Sequence, residues 1–277
     1  MPLKLMYITN RPEIALIAEN AGVDRIFIDM EYIGKNKRQG GMDTVQCHHT
    51  FEDIKTISSV LTKSELLVRI NPVHDKTDDY VSTEDEIDLA IESGAEILML
   101  PYFKTTAEVE RFLNHVNKRV KTMILVETPE AVEAIDEILD LDGIDEVFIG
   151  LNDLSLGYGM KFMFEPLANG KVEELCTKFA RKGLKYGFGG IASLGRGKLP
   201  SEYIISEHYR LGSKSVILSR SFCNVNIIEE IEIIESIFHD GVKAIREYEN
   251  LVESHPETYK EKHLKIEEIV QEITESL

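Results

Sequence analysis

The sequence predicts an α/β protein, a (β/α)8 TIM barrel followed by a C-terminal helical extension, and three observations carry that reading. Eight short apolar runs rich in branched residues recur along the chain, each followed by a turn and then by a segment of helical period. Glycines at 22, 94, 143 and 183 close helical segments just ahead of the next apolar run, where a left-handed C-cap is needed. A chain of 277 residues also accommodates the roughly 250 residues of such a barrel.

Taken in order, the expected strands are Leu3 to Ile8, Arg25 to Met30, Leu66 to Ile70, Ile97 to Leu100, Met123 to Val126, Val147 to Ile149, Tyr186 to Ile191 and Val216 to Ser219. Amphipathic stretches lie between them, among them Pro12 to Asn20, Phe51 to Leu61, Glu84 to Ser93, Ala107 to Val116 and Pro129 to Leu139. Thr128-Pro129 carries helix-start chemistry, a hydroxyl to cap and a proline for the first turn. The barrel should occupy residues 1–225. Beyond it, 226–277 reads as an acidic helical region, from about Ile227 to Tyr248 and from about Glu257 to Leu277, either solvated on the surface or packed on the barrel or on a neighbouring subunit.

Composition narrows the function classes. Acidic residues outnumber basic ones, 49 to 31, and the resulting net charge of -18 repels phosphate backbones and anionic bilayers, so no nucleic acid and no membrane partner is expected. Cys47, Cys176 and Cys223 are odd in number and widely spaced, which argues against a disulfide framework and for a reducing, cytoplasmic location. The start of the chain lacks the apolar core of a signal peptide, and no apolar run approaches the roughly 20 residues that span a bilayer.

In a (β/α)8 barrel, the residues that end the strands line the active site. Here they are polar: Asp29-Met30-Glu31 after strand two, Arg69-Ile70-Asn71 after strand three, Glu127-Thr128 after strand five and Asn152-Asp153 after strand six. Charges at the mouth of a packed barrel are costly unless they serve one another or a ligand. Glu127 and Asp153, hard oxygen ligands on adjacent strands with no histidine or thiolate beside them, suit Mg2+ or Mn2+. The competing reading makes them acceptors for helix N-termini, or partners of Arg69. An arginine among acids also suits a substrate carboxylate, which its planar fork binds in bidentate fashion.

At these residues the chain resembles the HpcH/HpaI aldolase and citrate lyase family of metal-dependent pyruvate enzymes. The resemblance runs through Asp24-Arg25-Ile26-Phe27-Ile28-Asp29-Met30-Glu31, Leu67-Val68-Arg69-Ile70-Asn71 and Gly94-Ala95 through Pro101. Its most specific part joins Val126-Glu127-Thr128-Pro129-Glu130-Ala131 to Phe148-Ile149-Gly150-Leu151-Asn152-Asp153-Leu154-Ser155, and the whole covers about residues 3–225. It implies cleavage or formation of a 4-hydroxy-2-oxo acid through a pyruvate enolate, with Glu127 and Asp153 holding the metal and Arg69 stabilising the enolate. The backbone of Gly150, Leu151 and Asn152 would bind the pyruvyl carboxylate. A homo-oligomer taking a small 2-oxo acid substrate follows from the same resemblance.

The sequence departs from that pattern twice. Tyr32 stands where aldolases of the family carry a histidine after the strand-two glutamate, and Leu125 stands where a glutamine is common. The catalytic candidates are therefore Arg69, Glu31, Tyr32 and His49, the last because His48 and His49 open the next helix after Gly40-Gly41 and offer an imidazole from another direction. Two alternatives stay open, an acyl-CoA lyase of the citrate lyase type and a non-catalytic barrel. Gly187-Phe188-Gly189-Gly190-Ile191-Ala192 satisfies a dinucleotide pattern but comes late in the chain with no helix directly after it. Arg196, Lys198 and Arg220 lie where barrels often bind phosphate, or else serve as solubilising charge. No strand ends in a lysine placed for Schiff-base chemistry.

Overall fold

The computed structural model describes residues 2–35 and 48–277. Eight parallel strands pair in chain order and close, β1 with β8. They are β1 (Lys4–Ile8), β2 (Arg25–Asp29), β3 (Glu65–Arg69), β4 (Ile97–Leu100), β5 (Lys121–Val126), β6 (Glu146–Ile149), β7 (Lys185–Ile191) and β8 (Ser215–Leu218). Each expected strand is present, with no end moved by more than two residues. The expected helix Pro129 to Leu139 is split into Pro129–Glu133 and Ile135–Ile138, because Ala134 leaves helical geometry at φ -86, ψ 3 while Ala131, Ile135 and Ile138 stay buried.

Strand side chains alternate between barrel interior and helix-facing exterior. Met6, Phe27, Leu67, Ile97, Met99, Met123, Leu125 and Phe148 point inward and form one apolar plug. Their neighbours, such as Ile26, Ile28, Val68, Leu98, Ile124 and Val147, form the shell under the helices. Two residues before the plug, the same parity carries charge. Arg25, fully buried, donates to Glu146 at 2.8 and 2.6 Å and to Glu65 at 2.9 Å, and Lys4 reaches Glu65 at 3.0 Å. The lower end of the barrel is thus sealed by ion pairs rather than left open.

The C-terminal region packs on the barrel's own helices. Helix Ile231–Ser254 buries Ile234, Phe238, Val242, Ile245 and Val252 and lies against helices Pro12–Ala21 and Ser201–Leu211. The Phe238 ring meets Tyr7 edge-on at 4.8 Å, and buried Glu249 accepts the Leu3 N–H at 2.6 Å. Helix Tyr259–Ser276 packs on Ser201–Leu211. Cys176 and Cys223 are buried and free, while Cys47 and the Gly40-Gly41 loop lie outside the described residues. No helix among the described residues is long and apolar enough to cross a membrane.

Gly187 of β7 serves strand packing. A Cβ at Gly187 would stand 2.1 Å from Ser215 Oγ, and the next helix begins only at Ser201, which removes the dinucleotide reading. Beside β7, His208 stacks on Phe188 at 3.8 Å and bonds Ser213 Oγ through Nδ1 at 2.7 Å.

Two stability tests follow. Arg25→Met leaves Glu146 with an uncompensated buried charge and should cost about 3–5 kcal/mol in urea unfolding; a loss below about 1 kcal/mol would show the lower ion pairs to be dispensable. Burial pushes the His208 imidazole down to about 3, so the unfolded chain binds a proton that the folded one refuses. The stability this group contributes is complete above pH ~6.5 and falls by about 1.4 kcal/mol per pH unit below it. His208→Asn should flatten the acid limb of the stability curve by that slope, read from urea midpoints between about pH 6.5 and 4.5.

Candidate active site

Continuing the inward parity past the plug gives the mouth of the barrel: Asp29 and Glu31 after Phe27, Arg69 and Asn71 after Leu67, Glu127 after Leu125, Gly150 after Phe148. A cavity of ≈ 200 Å³ opens there, floored by plug residues Phe27, Met99, Leu125 and Phe148. Arg69, Glu127, Gly150, Leu151, Asn152 and Asp153 stand on its wall. Glu127 and Asp153 also share a second, adjoining cleft with Tyr102 and Thr128.

Thr128 caps the helix that follows β5, accepting the Ala131 N–H at 3.1 Å, with Pro129 in the first turn. That cap fixes the chain just after Glu127. Glu127 is 4% exposed, and its Oε1 accepts the Tyr102 N–H at 3.0 Å, which Tyr102 delivers from a left-handed backbone at φ 48. Asp153, also buried, lies in the first turn of helix Leu151–Gly157 and accepts from Asn152 Nδ2 at 3.2 Å. A Cβ at Gly150 would come within 2.5 Å of Glu127 Oε2, so glycine keeps the space in front of that oxygen clear.

Two buried carboxylates lining one cavity, with oxygen donors alone, fit a hard divalent cation that keeps water or substrate in its remaining positions. Among the described residues, no group of three or more His, Cys, Asp or Glu side chains is arranged to hold an ion, so these two would need substrate or water to complete a coordination sphere. The Gly150 N–H already donates to the Val126 carbonyl at 3.0 Å. Gly150 therefore contributes room rather than a hydrogen bond, and the first-turn amides of Leu151 and Asn152 are the ones that helix geometry leaves without intrahelical acceptors.

Arg69 is held differently from the sequence-based expectation. Its Nε and Nη2 donate side-on to Asp29 Oδ1 and Oδ2, both at 2.8 Å, and Nη1 lies 3.4 Å from Glu31 Oε2. One edge of the fork is thus committed to Asp29, and the acids that Arg69 pairs with are Asp29 and Glu31. Asp29 Oδ2 also accepts from Lys35 Nζ at 2.7 Å. Burial works against the charged form of Asp29, yet Arg69 and then Lys35 hold its carboxyl well below the usual range. Burial likewise opposes the Arg69 charge, and Asp29 and then Glu31 keep that guanidinium firmly protonated.

The remaining catalytic candidates sit around this cluster and off the cavity wall. Glu31 is buried beside Arg69 and Lys35. Tyr32 donates its backbone N–H to Asn71 Oδ1 at 2.8 Å, and its ring stacks on His48 with centroids 6.0 Å apart. His49 lies behind β2, where Nδ1 accepts the Asp29 N–H at 3.0 Å; burial lowers its pKa, with the Asp29 charge opposing. Its imidazole meets the Asp29 main chain and not the carboxylate. Arg196 and Lys198 are exposed, as solubilising charge would be.

Two participants escaped the sequence reading. Lys35 is a buried lysine at the mouth although it ends no strand, and the available signal was its spacing of four from Glu31. Glu86 accepts both the backbone N–H and the side-chain amide of Asn71, at 3.1 and 2.9 Å, and so holds the residue that anchors Tyr32 and Ile33. Burial raises the Glu86 pKa.

The HpcH/HpaI aldolase/citrate lyase family model matches residues 4–165, which contain every wall residue of the β2 to β6 side. The chain belongs to this family. A hydroxypyruvate/pyruvate aldolase of Roseovarius nubinhibens is 36% identical over 67 residues, 24% of this chain and 25% of that protein. A 2-keto-3-deoxy-L-rhamnonate aldolase of Escherichia coli is 43% identical over 51 residues, 18% of this chain and 19% of that one. The match therefore spans a quarter or less of these curated relatives. The crystal structure of an HpcH/HpaI aldolase from Desulfitobacterium hafniense superposes with a TM-score of 0.60 at 19% identity, covering 89% of this chain and 93% of that one, which shows a shared fold.

Gly150→Ala tests the carboxylate cradle. Its φ of -84 suits alanine, but the methyl would also stand 2.8 Å from Glu127 Cβ, so the urea midpoint is read alongside to report how far the fold yields. The added methyl should displace Glu127 and, if the two carboxylates hold a cation, weaken Mn2+ binding at least about tenfold by calorimetry; unchanged affinity would remove Glu127 from the candidate metal site.

Proposed function

We propose that this protein is a divalent-metal-dependent carbon-carbon lyase that cleaves or forms a 4-hydroxy-2-oxo acid through a pyruvate enolate. The observation that carries this reading is the pair of buried carboxylates, Glu127 and Asp153, on one cavity wall with Arg69 on the same wall. Glu127 and Asp153 would hold Mg2+ or Mn2+, which when bound supplies Lewis acidity towards the 2-oxo group. The Leu151 and Asn152 amides receive the substrate carboxylate. Arg69, immobilised by Asp29, presents its uncommitted N–H groups to the oxygen that becomes negative, a preorganised charge that costs no reorganisation during the reaction.

In the cleavage direction the 4-hydroxyl proton leaves, the C3–C4 bond breaks, an aldehyde departs and the electron pair comes to rest on the enolate of pyruvate, whose C3 then takes a proton. We assign the proton acceptor to the β2 side of the mouth, where Glu31, Tyr32 and the stacked His48 lie. His49 acts one layer behind, through Asp29. The apolar floor excludes water from the enolate and strengthens the charge interactions above it.

The test is exchange of the pyruvate methyl protons in deuterated water. Exchange should stop with EDTA and return with Mg2+ or Mn2+; exchange that ignores the chelator would overturn the metal-enolate scheme. Glu127→Gln and Asp153→Asn should each abolish add-back at metal concentrations that saturate the parent. Arg69→Met should lower kcat about 10²- to 10³-fold, the usual cost of losing one oxyanion-stabilising donor.

A further inference from the structure

We infer that Lys35 is a positioning residue that sets the charge of the mouth, and that it tunes the site towards doubly charged ligands; this rests on the metal-enolate reading above. Lys35 is 5% exposed, and its ammonium donates to the same Asp29 oxygen that Arg69 Nη2 uses, at 2.7 and 2.8 Å. Two cations therefore sit within two hydrogen-bond lengths of each other, on one oxygen. One edge of Arg69 already pairs side-on with Asp29, and that pairing does not require a second buried cation. Burying an ammonium is costly, and holding it next to a guanidinium is costlier.

What Lys35 does supply is charge. Asp29 and Glu31 are both within ion-pair distance of Arg69, and their negative charge offsets the guanidinium's field at the cavity. Lys35 lies 2.7 Å from the first carboxylate and 3.7 Å from the second, and so returns one positive charge to the group. Arg69 is then gripped by two acids without losing its pull on an anion. Lys35 makes no bond to substrate in this scheme and acts through Arg69.

Charge and shape are separated by comparing oxalate with oxamate, near-isosteres of charge two and one. Both are titrated by calorimetry into the Mn2+-loaded parent, Lys35→Met, Lys35→Gln and Lys35→Arg, with stoichiometry reporting the folded fraction. Because a Coulomb energy doubles with ligand charge, Lys35→Met and Lys35→Gln should weaken oxalate by about the square of the factor for oxamate, on the order of tenfold against threefold. Lys35→Arg should keep the parent's ratio. An equal loss for the two ligands would mean a packing role, and no loss for either would mean a spectator; both overturn the inference. If the parent itself binds neither ligand in a metal-dependent way, the metal-enolate reading falls first and the inference falls with it.

Discussion

The constraint on which the structure depends is the two-residue alternation of strands in a closed barrel. Closure leaves an interior that side chains must fill, and here Met6, Phe27, Leu67, Met123 and Phe148 fill it with one apolar layer. Because parity is fixed, the residues two steps earlier and two steps later must also point inward. Earlier lie Lys4, Arg25, Glu65, Lys121 and Glu146, which pair with each other at the lower rim. Later lie Asp29, Arg69 and Gly150; Arg69 and Gly150 border the cavity above the plug, and Asp29 holds Arg69. A one-residue slip in any strand would exchange its inward and outward sets, so a single register positions core, seal and site together.

The charges at the upper rim are arranged in a hierarchy. Asp29 is the hub: its carboxylate binds Arg69 and Lys35, accepts the Glu31 N–H at 3.2 Å, and its own N–H is taken by His49. Burial makes every one of these bonds more consequential, since an unpaired charge here would cost several kcal/mol. On the other side of the cavity, Glu127 and Asp153 owe their positions to backbone devices, a left-handed N–H donor at Tyr102 and the first turn of a short helix. The arginine side is held by ion pairs and the carboxylate side by the main chain.

The two departures from the family pattern affect different layers. Leu125 is part of the plug, so hydrocarbon continues to the cavity floor beneath Glu127. Tyr32 lies off the wall, tethered by Asn71 and ultimately by Glu86, with His48 stacked beside it.

The sequence by itself determined the barrel, the strand order and the polar strand ends, because period-two runs, glycine caps and strand-end residues are local signals that a short window reveals. It also placed Arg69, Glu127 and Asp153 on one wall, since barrel geometry brings all strand ends to one face. Partner choice was decided only by tertiary structure. Nothing local pairs Arg25 with Glu146 across 121 positions, turns the Arg69 fork onto Asp29, directs His49 to a backbone N–H, or buries Lys35 outside any strand. Those contacts follow from closure, which juxtaposes groups that no sequence spacing relates, and in a water-poor interior each charge must settle on whichever opposite charge the fold places nearest.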